Sequence, residues 1–356
     1  MITSARAPHG SDASWRWIKA AVVSDHCGSN CYNAAPSPVA EISLLTLCTK
    51  CCKVIFNIRC VEEIALFQIM TDTSANLPTD FAKENNVTVI PFYFYVNGAR
   101  HTCLDTEGFD GATFYGAMRE GADVTTSQIN PQNYMDVMKP VLRRGEDVLF
   151  VGMSSGISGA YQSAELAASE LRPEFPDRTI RLVDTLGASL GEGLLVIKAL
   201  GYQRQGLSID ETAEKLLLLR HKICNIFTVD DLKYLRKGGR LSNLSFIVGT
   251  LLQIKPLLKG NEEGKIVAFA KLRGRKKALQ ALAQRYDEYV TNAASQTIAI
   301  AHADCLDDVD YLISLLRRNH PPKDILTVCY EPVTGSHVGP GTLALFFEAR
   351  EGCRAM

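Results

Sequence analysis

Between Asp147 and Arg172 the chain reads DVLFVGMSSGISGAYQSAELAASELR, which predicts a buried strand, a loop of serines and glycines, and an amphipathic helix. Ser154, Ser155, Ser158 and Gly159 are the small residues that interrupt this strand-to-helix transition. Such a junction aims backbone N–H groups and small hydroxyls at one point, and the helix dipole makes that point attractive to an anion. No lysine follows the glycines, as a GxxxxGK[ST] phosphate loop requires, and no GxGxxG marks a dinucleotide site. A carboxylate is the better-sized guest. A second hydroxyl pair, Thr126 and Ser127, ends a strand-like run just before Asn130-Pro131 opens a helix. Those hydroxyls serve either as helix caps or as ligand donors. His337, between Gly335 and Gly339-Pro340-Gly341, sits in a loop of little bulk, where an imidazole can offer an N–H to an oxyanion and titrates near neutrality.

A competing chemistry is written into the same loop. Gly152-Met153-Ser154-Ser155-Gly156 satisfies G-x-S-x-G, the nucleophile elbow of α/β-hydrolases, and Asp184 and His302 or His337 follow in that fold's chain order. Against it, the elbow's helix starts straight after the serine, whereas Ile157-Ser158-Gly159 intervenes here and leaves Ser154 short of the strained tip. Two basic clusters, Lys233/Arg236/Lys237/Arg240 and Lys271/Arg273/Arg275/Lys276/Lys277, read first as solvated faces.

Positioning these groups requires a scaffold, and the apolar pattern supplies one from Ile64 to Arg350. Strands are expected at Ile64–Thr71, at Val87–Val96 (closed by the Asn97-Gly98 turn) and at Thr179–Val183, alternating with helices at Phe109–Glu120, Pro131–Leu142, Leu194–Gln205 and Ile209–Lys222. That order implies crossover units and a parallel, Rossmann-like sheet over residues 64–224, with both hydroxyl clusters at the carboxyl ends of its strands, where open sheets bind ligands. From residue 225 to 350 the pattern changes to α+β. A strand at Asn225–Val229 meets a basic helix stopped by Gly238-Gly239. A hairpin follows around Gly260–Gly264, then helix Lys276–Ala293, strand Thr297–His302, helix Asp307–Asn319 and two strands around the His337 loop. The expected fold class is therefore α/β in two domains, the second with a mixed sheet.

With 46% hydrophobic and 22% charged residues, 356 residues suffice for two domains with a sizeable core, and a net charge of −1 gives no general reason to expect nucleic-acid binding. Six of the eleven cysteines lie before residue 61, and the other five are scattered singly, which points to reduced thiols and a cytoplasmic address. The apolar stretch Trp15–Val23 is interrupted by Arg16 and Lys19, a poor signal peptide, and no 18-residue apolar run exists for a membrane span. Residues 1–63 read as a poorly ordered, cysteine-rich extension; its Cys27/Cys31 and Cys48/Cys51 spacings loosely suggest zinc ligands, but neither a metal nor another cofactor is the expectation.

In order along the chain stand IMTDTSANLP (69–78), TTSQINP (125–131), MSSGISGAYQSA (153–164), VDDLKYLRKGGRLS (229–242), GTLLQIKPLL (249–258) and GSHVGPG (335–341). Together they resemble the DegV family of bacterial fatty-acid-binding proteins, called FakB in its kinase-associated members. The resemblance implies one fatty acid enclosed between the two domains, with its carboxylate held by Thr126, with Ser127 nearby, and by Ser155, Ser158 and Gly159, and with His337 as a further head-group partner. Ala160 departs from the family's usual hydroxyl residue. The resemblance further implies no chemistry by the protein itself. Its partner would be an ATP-dependent fatty-acid kinase that forms acyl phosphate, and Arg236, Lys237 and Arg240 would meet that kinase, the acyl phosphate or an anionic membrane surface. Ile247, Val248, Leu251 and Leu252 are expected in the apolar wall. A regulatory or scaffold protein that kept the fold and lost the ligand is the remaining alternative.

Overall fold

The computed structural model describes residues 67–242 and 254–355. The cysteine-rich stretch 1–63 with its zinc-like spacings, the expected strand start at Ile64, and the wall residues Ile247, Val248, Leu251 and Leu252 lie outside the described residues.

In chain order the first half gives β1 (Phe67–Asp72), α1 (Thr79–Glu84), β2 (Thr88–Ile90), β3 (Tyr93–Val96), β4 (Ala99–His101), α2 (Gly111–Arg119) and β5 (Val124–Ser127). It continues with α3 (Pro131–Arg143), β6 (Asp147–Gly152), α4 (Ala160–Glu174), β7 (Ile180–Asp184), α5 (Leu190–Arg204) and α6 (Ile209–Leu219). Strands β2-β1-β6-β7 form an all-parallel sheet. Its central strands are buried on both faces, as a sheet covered by helices on either side requires.

The expected single strand Val87–Val96 is two strands in two sheets. Pro91 has no N–H to donate, so the ladder of β2 ends there, and β3 joins a separate antiparallel sheet of order β4-β3-β5. Thr126 pairs with Phe94 in that small sheet. It therefore does not lie at the end of a parallel strand, which corrects the sequence expectation; Ser154 and Ser155, just past β6, do.

The second half gives β8 (Ile223–Thr228), α7 (Lys233–Lys237), β9 (Ile254–Gly260), β10 (Ile266–Arg273), α8 (Arg275–Tyr289), β11 (Thr297–His302), α9 (Leu306–Asn319), β12 (Asp324–Cys329), α10 (Pro332–Val338) and β13 (Leu343–Glu348). The sheet order is β10-β9-β8-β13-β11-β12, mixed because β11 and β12 alone run parallel. Here too one expectation fails: the segment carrying His337 is helical, opened by Pro332 and capped by Glu331, whose carboxylate accepts from Val333 N at 2.6 Å and Thr334 N at 2.5 Å.

Helix α5 lies between the parallel and mixed sheets. Leu190, Leu194, Leu195, Val196, Ala199 and Leu200 are buried on it, in one core with Ile69 of β1, Phe227 of β8 and Phe346 of β13. A helix that is apolar around most of its circumference belongs in such a layer. Helices α3 and α4 cover the other face of the parallel sheet, and α8 and α9 cover the other face of the mixed sheet. Past the expected end at Arg350, Arg354 is 3% exposed, and its guanidinium donates to Ile223 O (3.0 Å), Leu186 O (2.8 Å) and Asn261 O (3.1 Å). No helix among the described residues is long and apolar enough to cross a membrane.

Candidate functional site

The loop after β6 divides its serines between structure and cavity. Ser154 is fully buried; its Oγ donates to Gly264 O at 2.9 Å and accepts from Gly156 N at 3.1 Å. No histidine bonds it among the described residues, so the base that an elbow nucleophile needs is missing and the G-x-S-x-G reading is corrected. Ser155 donates to Asp184 Oδ2 at 2.5 Å, and its N–H bonds Oδ1 of the same carboxylate, which pins the loop to the end of β7. Gly159 caps α4 and is small because Gln128 occupies the space where its Cβ would stand. Neither Ser155 nor Gly159 lines the cavity described next. Ser158 does, while its Oγ accepts the Ala160 N–H at 3.2 Å and keeps its own hydrogen to donate.

Thr126, Ser127, Ser158, Arg240 and His337 line one cavity of about 860 Å³, a volume that includes its open mouth. Phe92, Met153, Ile157, Phe227, Ile266 and Phe346 give it apolar walls drawn from both large sheets and their loops. A mainly apolar wall with polar groups gathered on part of it is the usual makeup of a small-molecule site. The helix-cap reading of Thr126 and Ser127 does not hold, because the Asn130 side chain caps α3 by accepting from Asn133 N at 2.9 Å.

His337 Nε2 and Thr126 Oγ1 are 2.7 Å apart. Burial, reinforced by the charge of Arg240, pulls the imidazole down to about 4, so it is neutral at physiological pH. A neutral ring that donates Nε2–H to the threonine oxygen leaves the threonine hydrogen free to point at a ligand. The ring packs closely on Gly238, where a Cβ would fall 2.4 Å from its Nδ1.

The basic residues separate. Arg236 and Lys237 are exposed on α7, where Lys237 pairs with Asp123 at 2.5 Å. Arg240 is half-buried, donates to Ile157 O at 3.3 Å and to Gly238 O, and turns its charge toward the cavity. Its place beside His337 is invisible in a run of basic residues.

Three buried carboxyls behind the site had no sequence signal beyond the DTS turn after β1. Asp72 accepts from Ser74 N and Met153 N, and burial raises it to about 6. Glu192 accepts from Thr71 Oγ1 (3.0 Å) and Ser74 Oγ (2.5 Å) and is raised well above the carboxyl range by burial and by Asp72. Glu331 is raised to about 7 by burial. Asn76 links them to the cavity side, accepting from Glu331 N and Ser189 Oγ, both at 3.2 Å. The network ties β1, α5 and α10, the elements that fix the loop and the histidine.

The family model described as an uncharacterised protein, DegV family, matches residues 66–350. A DegV domain-containing protein of Clostridium perfringens is 38% identical over 281 residues, covering 79% of this chain and 97% of its own. A DegV family protein of Thermus thermophilus, solved in a study of its fatty-acid binding, is 32% identical with a TM-score of 0.70 and covers 79% of this chain and 98% of its own. A fatty-acid-binding DegV family protein of Streptococcus agalactiae is 32% identical with a TM-score of 0.69, at the same coverage.

Proposed function

The chain belongs to the DegV family, and from that premise we propose that it binds a long-chain fatty acid and presents it to an ATP-dependent fatty-acid kinase. The observation that carries the reading is the meeting of Thr126, His337 and Ser158 at one apolar-walled cavity. Burial of a hydrocarbon tail is favourable by about 0.8 kcal/mol per methylene, so a sixteen-carbon chain gains on the order of 10 kcal/mol before ordering costs. An unpaired buried carboxylate would cancel that gain, so the charge needs converging donors. Thr126 and Ser158 supply hydroxyl hydrogens, His337 orients the first of them, Ser127 lies alongside, and Arg240 provides counter-charge. Ser155 and Gly159 act by shaping the loop.

In this reading residues 64–224 and 225–350 are two domains that close on the acyl chain, the protein works in the cytoplasm, and it does no chemistry of its own. Arg236 and Lys237, exposed beside the cavity residue Arg240, are the surface for the kinase or an anionic membrane leaflet. The test is native mass spectrometry with lipid extraction of the purified protein. One long-chain fatty acid per chain is expected; an empty protein that also refuses added palmitate would favour the ligand-free scaffold instead.

A further inference from the structure

One polar side chain on the cavity wall, apart from the Thr126–His337–Ser158 head cluster, has a buried atom without a partner. Asn225 Oδ1 finds no hydrogen bond among the described residues, and Asn225 lines the cavity; Thr334, also on the wall, turns its hydroxyl to the Glu331 carboxyl. Asn225 is 7% exposed, on β8 opposite Phe346. Its Nδ2 makes one long bond, 3.4 Å to Ile223 O, which leaves most of the carboxamide unmatched. The surroundings make room for that amide. A Cβ at Gly191 would stand 1.9 Å from Oδ1, and those at Gly187 and Gly260, themselves cavity residues, would stand 3.4 and 3.6 Å from Nδ2.

Buried polar atoms in folded proteins are matched nearly always, and an unmatched one on a cavity wall calls for a partner from the ligand or from ordered water. A saturated hydrocarbon tail offers neither donor nor acceptor. A hydroxyl on the tail offers both, and a carboxamide answers either. We propose that the preferred ligand is an oxygenated long-chain fatty acid, a hydroxy acid, with Asn225 as the residue that reads the oxygen on the chain. This rests on the fatty-acid reading above and names the subclass of acid.

The experiment is competition of delipidated protein between stearate and a panel of monohydroxystearates whose hydroxyl positions span the chain. At least one isomer is expected to bind about tenfold more tightly than stearate, the worth of satisfying a buried unpaired group. In Asn225→Leu, close in size and apolar, the ratio of the two Kd values falls toward one while the melting temperature holds, because no bond of consequence is removed. Stoichiometric stearate binding with no isomer preferred overturns this inference alone and assigns the unmatched atom to ordered water. A preference that persists in Asn225→Leu also overturns it. Failure of every acid to bind removes the fatty-acid reading and this one with it.

Discussion

Thr126 Oγ1 and His337 Nε2 stand 2.7 Å apart across 211 residues of chain, one on an edge strand of the small antiparallel sheet and the other in the last turn of α10. The pair forms only when that sheet docks against the helix that follows β12. The head of the cavity is thus a product of tertiary assembly.

Thr126→Val together with Ser158→Ala removes two donors from a dry, anionic head site. Hydrogen bonds to a charged group are each worth roughly 1.5–3 kcal/mol, so fatty-acid affinity is expected to fall by about 100-fold or more. Acyl content measured by mass spectrometry reads the outcome, and unchanged occupancy would refute the assignment of the head group.

Ser154 supports the loop, its hydroxyl bonded to Gly264 O and Gly156 N. A fluorophosphonate probe is expected to leave it unlabelled, and Ser154→Ala to lose about 1–3 kcal/mol in denaturant unfolding, since the Gly264 carbonyl loses its donor. Stoichiometric labelling at Ser154 would restore the hydrolase reading.

Gly264 has φ +70°, and a Cβ there would fall 2.1 Å from Ser154 Oγ and 3.0 Å from Leu186 Cα. Backbone cannot yield as a side-chain tip can. Gly264→Ala is expected to cost at least about 1 kcal/mol and to weaken acyl binding as well, because Gly264 and Leu186 both line the cavity. A variant as stable and as fully loaded as the parent would contradict this packing.

The buried acids and His337 set opposite pH dependences. Unfolded Asp and Glu release their protons near 3.8 and 4.5, whereas the fold raises Asp72 to about 6 and Glu331 to about 7, and burial also raises Glu192 well above its ordinary value. The folded state then binds the extra protons, and stability falls as pH rises through each folded value. His337, at about 4 folded and 6.5 unfolded, contributes stability that is complete above 6.5 and lost as pH drops toward 4. Above pH 6.5 the carboxyl effect stands alone. The melting temperature is expected to decline as pH rises above 6.5, and Glu331→Gln to flatten that decline; an identical slope in both proteins would exclude a buried Glu331 carboxyl that holds its proton to about 7.

The parts of this molecule legible in its sequence are those fixed by local pattern. Apolar runs such as VLFVG mark a strand buried on both faces, and Asn130-Pro131 marks a helix start that the structure repeats at Pro131. Thr126, Ser158 and His337 stood out by type and do meet. The rest depended on partners distant in the chain. Ser155 gave no sign that Asp184 would engage it, and Arg240 looked like its exposed neighbours until α7 set it against the cavity. The glycines at 335, 339 and 341 suggested a loop, although Glu331-Pro332 is a helix start. Gly335 is there to admit the Tyr115 hydroxyl.

The anchorage of Arg354 bears on how the protein can be handled. Its guanidinium grips carbonyls from the β7–α5 connection, the start of β8 and the β9–β10 turn. A proteolytic cut just before Arg354, or its replacement, acts on a cross-brace of the cavity wall, so preparations altered there will report on a slackened vessel.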